Sequence, residues 1–254
     1  MPYIAVTRED EIGRLARSYN AMMERIQLLV QEIKEAESRK QQFELKMLQS
    51  QIAPHFLYNT LACIGSLAKQ HKTDAVRDTI KSLVGLLSFS FDKKSEYVTL
   101  AEELEGLAMY VHIQQMRYGD KFKLQMEAAP ETLGCKMLKL TLQPLVENAI
   151  FHGLAPLKRP GLIRVRTRLV RMKVVITVRD NGTGMNSEQL ENVFSERRKA
   201  PSRHRFTGLG VMNVQERIRL HYGQEYGLKI ASRPETGTLI RIESPALAFE
   251  EGAG

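Results

Sequence analysis

The feature that most constrains this chain is a regular repeat along its first fifty residues. Mostly apolar side chains recur alternately every three and four residues, while charged and amide side chains fill most of the positions between them. The repeat positions are Ile12, Leu15, Tyr19, Met22, Ile26, Leu29, Ile33, Ala36, Lys40, Phe43, Met47 and Ser50, of which Lys40 and Ser50 weaken the pattern. This spacing predicts a long α-helix with one apolar stripe.

Such a stripe needs a surface to cover it. About five heptads of pattern favour a parallel homodimeric coiled coil, in which two copies of the stripe bury each other. The alternative is an amphipathic helix that packs on its own domain. Pro54 falls on the next stripe position, where it removes a backbone donor and predicts a bend just before His55.

Length and composition narrow the remaining choices. A chain of 254 residues accommodates about two domains, and a formal charge of +8 favours anionic partners: nucleotides, nucleic acid, anionic lipid or an acidic protein. Cys63 and Cys135 show neither disulfide-framework nor metal spacing, which predicts a reducing compartment. No apolar run reaches the ~18 residues of a membrane span, and no signal peptide is visible.

Helical periodicity continues after Pro54 and then gives way to a mixed pattern. We predict helices over about 54–70, 74–89 and 100–117, and a domain boundary near Gly119 and Asp120. A strand over 121–128 and a helix over about 136–152 follow. The predicted fold class is α+β, with an N-terminal coiled-coil and helical dimerisation region followed by an α/β sandwich.

Two segments after residue 160 alternate with the period of a β-strand. In the first, Ile163, Val165, Thr167 and Leu169 share one face, opposite three arginines at 164, 166 and 168. This alternation predicts an antiparallel sheet with one solvated side. In the second, "KVVITVRD", the inward face ends in a carboxylate, Asp180.

The turn "DNGTGM" that begins at Asp180 can hold a flat ring. A buried acid needs hydrogen-bond donors, and an adenine amino group is a suitable one. Gly182 and Gly184 let the backbone approach the ring and supply positive φ angles. By itself the turn is equally consistent with an ordinary hairpin.

Two further motifs accompany that turn. "GLG" at 208–210 opens a predicted helix, and bare glycine amides at a helix start bind phosphate. In "QPLVENAIFHG", Asn148 and His152 lie one helical turn apart. The Asn148 amide oxygen suits Mg²⁺, and Glu147 could hold a metal-bound water or act as a base. Each motif alone is compatible with structural residues, but the three together are specific.

The motif order "ENAIFHG", "DNGTGM" and "TGLGVMN" resembles the Bergerat-type ATP-binding fold of sensor histidine kinases, which is shared more distantly with DNA gyrase and heat-shock chaperone ATPases. "PHFLYNTL" resembles the phosphoacceptor box of the LytS/YesM class of bacterial sensor histidine kinases, and "DEIGRLARSYNAM" resembles the second helix of a HAMP linker. The resemblance implies four parts: a HAMP-like helix and coiled coil over 1–50, a dimerisation and phosphotransfer region over 51–119, an ATP-binding domain over 120–247 and a tail over 248–254.

The resemblance also implies roles for individual residues. Asn148 is expected to bind Mg²⁺, Asp180 to read adenine, and the segment over about 186–207 to form a lid. The other expected nucleotide-binding residues are His152, Gly182, Gly184, Thr207, Gly208, Leu209 and Gly210. Lid arginines and lysines could meet phosphates, although solvated loop charges explain most of them equally well.

His55 is the expected phosphoacceptor. A neutral imidazole is a competent nucleophile near pH 7, provided that it lies on an exposed helix face. Asn59, one turn later, could orient the ring or position a water for dephosphorylation. Phe56 stands where many histidine kinases carry an acidic base, so Glu147 is only a weak candidate for that role. Pro144 stands where gyrase-like ATPases carry a catalytic Glu, which argues against a water-directed ATPase.

The expected activity is that of a protein-histidine kinase in a two-component system. ATP and Mg²⁺ would phosphorylate His55, and the phosphoryl group would pass to an aspartate of a response-regulator receiver domain. The alternatives are a nucleotide-binding dimeric scaffold without phosphotransfer and a water-directed ATPase. We expect a homodimer with no nucleic-acid partner, forming the cytoplasmic portion of a bacterial membrane protein whose sensor lies upstream.

Overall fold

The computed structural model describes residues 10, 14–15, 18–29, 31, 54–91, 95–193 and 209–249. The chain divides into two compact units, 1–53 and 54–254. In the first unit the described residues from 14 onwards are helical. Leu15, Met22, Ile26 and Leu29 of the predicted stripe are all exposed there. The rest of the stripe and the predicted bend before His55 lie outside the described residues.

The second unit begins with the predicted helices. They are α1 (Pro54–Lys69), α2 (Thr73–Phe91) and α3 (Leu100–Tyr118). Thr99 and Glu102 form a reciprocal capping box that starts α3, since each side chain accepts from the other residue's backbone N–H. Among the described residues, no helix combines the length and the apolar character that crossing a bilayer requires.

Short strands and helices make up the rest of this unit. The strands are β1 (Tyr97–Thr99), β2 (Phe122–Glu127), β3 (Lys136–Leu138), β4 (Gly161–Val170), β5 (Lys173–Asp180), β6 (Gly227–Arg233) and β7 (Gly237–Pro245). The helices are α4 (Pro130–Leu133), α5 (Gln143–Asn148), α6 (Ser187–Val193) and α7 (Leu209–Tyr222). A π-helical segment, Ala149–Leu154, continues α5 without a break.

Five strands form one sheet in the order β2-β4-β5-β7-β6. The predicted α+β class is confirmed, but the sheet is mixed rather than antiparallel, because β2 pairs with β4 in parallel. The two-stranded pair β1-β3 is separate from it. A parallel neighbour requires a crossover, and the residues between β2 and β4 supply it with β3, α5 and the π-helical segment.

The predicted alternation of faces holds over most of the sheet. Ile163 and Val165 of β4 are fully buried and Asp180 is 6% exposed, while Arg166 and Arg168 are on the solvated side. Leu169 is a correction, because it is 39% exposed. The core does not extend to this end of β4, where the chain turns into β5 at Arg171 and Met172.

The predicted helix over 136–152 is wrong in its first half. Residues 136–138 form β3, which pairs with β1, and the helix begins only at Gln143. Leu140 has a positive φ of 58°, which interrupts any helix there. Pro144 lies in the first turn of α5, where proline is favoured because its missing N–H would be unpaired anyway. Tertiary pairing therefore overrides the apolar helical pattern before residue 143.

Candidate nucleotide and phosphoacceptor sites

A cavity of about 330 Å³ lies between the α5 region, β5, α7 and the β6-β7 pair. This volume is at the lower end of the ~300–1,000 Å³ that is usual for small-molecule sites. Four residues predicted from the motifs line it: Asn148, His152, Asp180 and Gly184. Apolar side chains that include Val178, Met185, Val211, Ile230 and Ile240 form much of the remaining wall. An apolar slot with a few polar groups suits a flat heteroaromatic ring.

Asp180 is the buried polar group of this cavity. Its Oδ1 accepts hydrogen bonds from the backbone N–H groups of Gly182 at 2.8 Å and Thr238 at 3.3 Å. Burial raises the pKa of this carboxyl above its usual value, and the backbone donors oppose that shift. Since both donors use Oδ1, the carboxylate keeps acceptor capacity for a donor inside the cavity.

The glycines near Asp180 allow the backbone to approach closely. A Cβ on Gly182 would overlap the Gly153 backbone, and a Cβ on Gly184 would overlap the Arg233 carbonyl. Gly184 also has a φ of 65°, as the sequence predicted, but the positive φ predicted for Gly182 is wrong. Thr183 lies between them and donates its backbone N–H to the Gly153 carbonyl at 2.9 Å. The turn is therefore fastened to the end of the π-helical segment.

Asn148 and His152 approach the cavity from α5 and the segment that continues it. The Asn148 Nδ2 donates to the Pro144 carbonyl at 2.8 Å, which leaves the amide oxygen as the acceptor of that side chain. Burial lowers the pKa of His152, which favours the neutral ring. Gly210, in the first turn of α7, lies close to Asn148, because a Cβ there would be 3.4 Å from Asn148 Nδ2.

Two predicted residues that the structure describes, Gly182 and Gly210, are not among those that line the cavity. Thr207 and Gly208 lie outside the described residues, as does most of the predicted lid, of which α6 is the described part. Leu209 begins α7. Among the residues described here, no three His, Cys, Asp or Glu side chains form a metal-binding cluster. A magnesium ion at Asn148 would therefore depend on oxygens from the nucleotide and from water.

His55 and Asn59 lie outside this cavity, on α1. His55 is exposed, and the Asn59 Nδ2 lies 2.9 Å from both of its ring nitrogens. This position does not select one tautomer, but it places the amide beside the imidazole, as the sequence spacing predicted. Exposure leaves the ring accessible to a second domain.

An aromatic contact links α1 to α3. Phe56, directly after His55, stacks on Tyr110 of α3 with ring centroids 5.4 Å apart. Tyr110 is buried, and its hydroxyl accepts from the Gln114 amide at 2.9 Å. Burial raises the pKa of Tyr110, and the nearby Glu147 carboxylate raises it further. Burial also raises the pKa of Glu147, which is not among the residues that line the cavity.

Sequence reasoning missed several residues that line the cavity. Thr183, Met185 and Thr238 contribute to its walls, as does Gly153, whose position is set by the π-helical segment. Gly153 had a visible signal, because it closes the "ENAIFHG" motif and any Cβ there would lie 3.0 Å from Asp180 Oδ1. Thr238 had no visible sequence signal. It is far from Asp180 in sequence, and only the pairing of β5 with β7 brings the two residues together.

Comparisons with known proteins match the segments that carry these features. Residues 43–122 match the histidine kinase family, residues 136–248 match the family of histidine kinase-, DNA gyrase B- and HSP90-like ATPases, and residues 3–28 match the HAMP domain. Sensor histidine kinase YesM of Bacillus subtilis is 40% identical over 237 residues, covering 93% of this chain and 39% of YesM. The chain belongs to the sensor histidine kinases of the LytS/YesM class.

A further relative agrees with this assignment. Sensor histidine kinase YpdA of Escherichia coli is 36% identical over 203 residues, covering 80% of this histidine kinase chain and 34% of YpdA. The chain thus spans well under half the length of these two curated relatives. Among solved structures, the catalytic domain of histidine kinase ThkA aligns with 60% of this chain and 97% of that domain, with 20% identity and a TM-score of 0.46. The match to the ATPase family implies ATP binding by this histidine kinase.

Proposed function

We propose that this chain binds ATP with Mg²⁺ in the cavity around Asp180, phosphorylates His55 and passes the phosphoryl group to an aspartate of a response-regulator receiver domain. The observation that carries the proposal is the pairing of two sites in one chain. One is a cavity with a buried carboxylate inside the ATPase-family segment. The other is an exposed histidine inside the histidine kinase segment.

The cavity residues suit an adenine nucleotide. The Asp180 carboxylate can accept from the adenine amino group, while Val178, Met185 and Ile240 can contact the ring faces. Asn148 is the residue that would hold Mg²⁺ by its amide oxygen. When bound, the ion neutralises charge on the phosphates. Glu147 remains the weak candidate for a base, with a pKa raised by burial.

His55 would supply the nucleophile. A ring nitrogen forms a bond to the γ-phosphorus while the bond from that phosphorus to the bridging oxygen of ADP breaks. Asn59 would hold the ring in one orientation during the attack, a role that its 2.9 Å distance from the imidazole supports. The cavity does not include His55, so the reaction requires the ATP-binding lobe and α1 to approach each other.

The partners follow from the class of protein. Histidine kinases of this kind typically form homodimers, and the exposed residues Leu15, Met22, Ile26 and Leu29 offer an apolar stripe for such a contact. The HAMP match supports a membrane-anchored sensor upstream in the full-length protein, with this portion in the cytoplasm.

Phosphotransfer labelling tests the proposal directly. The chain is incubated with Mg²⁺ and γ-labelled ATP, and the label is expected to be acid-labile and base-stable, as for phosphohistidine. His55→Gln should abolish labelling while nucleotide binding, followed by fluorescence of a labelled ATP analogue, is unchanged. Labelling that survives His55→Gln would refute the assignment.

A matched histidine provides the control. His71 is exposed at the end of the same helical hairpin and has a φ of 56°, which Asn tolerates better than most residues. His71→Asn should therefore leave labelling at the wild-type level. Steady phosphate release without protein labelling would favour a water-directed ATPase, and nucleotide binding with neither activity would favour a scaffold.

A further inference from the structure

One face of the five-stranded sheet carries most of the net charge of the chain. The register of the strands places nine basic and two acidic side chains on the face opposite the nucleotide cavity, a net formal charge of +7 against +8 for the whole chain. We call this surface the basic sheet face. Its charged members are Lys123, Glu127, Arg164, Arg166, Arg168, Lys173, Arg179, Lys229, Arg233, Arg241 and Glu243.

Ion pairs within the chain neutralise this charge only in part. Glu127 pairs with Arg166 at 2.7 Å and lies 3.8 Å from Arg164. Glu243 pairs with Arg241 at 3.0 Å. Arg164 and Arg179 lie directly opposite each other in the β4-β5 register, an arrangement of like charges that destabilises a sheet. Among the described residues, neither Arg168 nor Arg179 forms an ion pair with a carboxylate. The sheet therefore keeps a positive potential at its centre.

A groove of about 600 Å³ crosses this part of the basic sheet face. Four arginines line it, at positions 164, 166, 168 and 179, together with one acid, Glu127, two threonines, Ala128, Ala129 and the 38%-exposed Leu239. Arginine forks bind carboxylates in a bidentate manner, and protein interfaces are enriched in Arg and depleted in Lys. The strand residues of this face include no aromatic side chain on which a nucleic acid base could stack.

We propose that the basic sheet face binds an acidic protein segment, whose carboxylates pair with Arg164, Arg168 and Arg179 while an apolar side chain contacts Leu239. Charge complementarity selects an anionic partner, and the mixture of guanidinium and apolar surface selects a protein over a lipid headgroup layer. The site is independent of the proposed phosphotransfer, since the cavity residues Asp180 and Ile240 belong to the opposite face of the sheet.

A binding measurement with a defined acidic probe tests this site. Fluorescence anisotropy of a fluorescein-labelled polyglutamate peptide is followed as the full chain is added. Combining Arg164→Gln with Arg168→Gln should weaken binding at least about tenfold, because two carboxylate contacts are removed. The control combines Arg77→Gln with Lys81→Gln on α2, which removes the same charge from an exposed helix and should weaken binding less than about twofold.

Additional variants and probes separate arginine-specific binding from general charge attraction. Combining Arg164→Lys with Arg168→Lys keeps the charge but removes the planar forks, and should lie between wild type and the Gln variant. Labelling of His55 in the same variants should match wild type, which shows that the catalytic part is folded. Equal weakening by the α2 control would overturn the proposal. So would tighter, Arg164-dependent binding to phosphatidylglycerol vesicles or to a single-stranded oligonucleotide.

Discussion

Glu103 and Asp180 are both buried carboxylates, and the structure satisfies them in different ways. Glu103 of α3 is 2% exposed and accepts from two backbone N–H groups at 2.8 Å, with Leu140 on one oxygen and Leu142 on the other. Asp180 is 6% exposed and takes both of its backbone donors on Oδ1. Each oxygen of Glu103 thus has a backbone donor from its own chain, whereas Asp180 keeps Oδ2 for a donor inside the cavity.

The two acids also differ in the cations that lie near them. Arg217 of α7 interacts electrostatically with Glu103 and donates to the Lys139 carbonyl at 2.9 Å. Glu103 therefore joins α3 to the loop before α5 and to α7. Asp180 interacts electrostatically with Arg179, but this cation lowers its pKa less than the backbone donors do, and burial raises the pKa of both carboxyls. We expect changes at Glu103 to affect folding and changes at Asp180 to affect nucleotide binding.

The largest effect is expected from Glu103→Gln. One of the two backbone N–H groups would face an amide NH₂, and Arg217 would lose its compensating charge, so the free energy of unfolding should fall by about 3–5 kcal/mol. Urea unfolding followed by circular dichroism measures this loss. Glu105→Gln, at an exposed position on the same helix, should change stability by less than about 0.5 kcal/mol. Equal free energies of unfolding for Glu103→Gln and Glu105→Gln would contradict the structural role of Glu103.

Asp180→Asn should weaken ATP binding without lowering the stability of the fold. The Asn amide oxygen can still accept from Gly182 and Thr238, so stability should be at least that of wild type at neutral pH. ATP affinity should fall by about 1.5–3 kcal/mol, because the charged acceptor for the adenine amino group is lost. Calorimetric titration with ATP measures this. A destabilised variant that still binds ATP normally would give Asp180 a structural role instead.

Gly153→Ala tests the close contact between the π-helical segment and the Asp180 carboxylate. The added methyl group would lie 3.0 Å from Asp180 Oδ1, so either the carboxylate or the segment must shift. Such overpacking typically costs about 1–3 kcal/mol of stability, and we expect a loss near the lower limit together with weaker ATP binding. Gly134→Ala, in open space at the end of α4, is the matched control. Identical ATP titrations for both variants would argue against this close contact.

The smallest effect is a pH dependence of stability due to Asp180. Because its folded-state pKa is raised, its favourable contribution is present below the unfolded pKa and is lost as the pH rises through the raised folded value. The unfolding free energy of wild type relative to Asp180→Asn should therefore decrease over that window, by up to about 1.4 kcal/mol per unit of pKa difference. Unfolding of both proteins at several acidic pH values measures it. A difference that stays flat or increases would contradict the sign.

Local patterns allowed much of the fold to be predicted. The bounds of α1, α2 and α3 lie within about two residues of the periodicity estimate, since long amphipathic helices carry strong signals. The inward position of Asp180 followed from strand alternation. The start of α5 could not be predicted in this way, because the Leu140 and Leu142 N–H groups are held by Glu103, far away in sequence. The contribution of Thr238 to the site could not be predicted either, because its contact with Asp180 also joins residues that are remote in sequence.

The sequence alone determined the residue types of the two candidate sites: an imidazole after Pro54, a carboxylate at the inward end of β5, and an amide and a histidine four residues apart, on α5 and the π-helical segment that continues it. Residue type and spacing are sufficient for these, because they depend on contacts within a few residues. Only the tertiary structure decided which oxygen of each buried acid is already occupied, and which sheet face collects the arginines of four strands. Hydrogen bonding and electrostatic potential depend on distances in space, which residues remote in sequence set together.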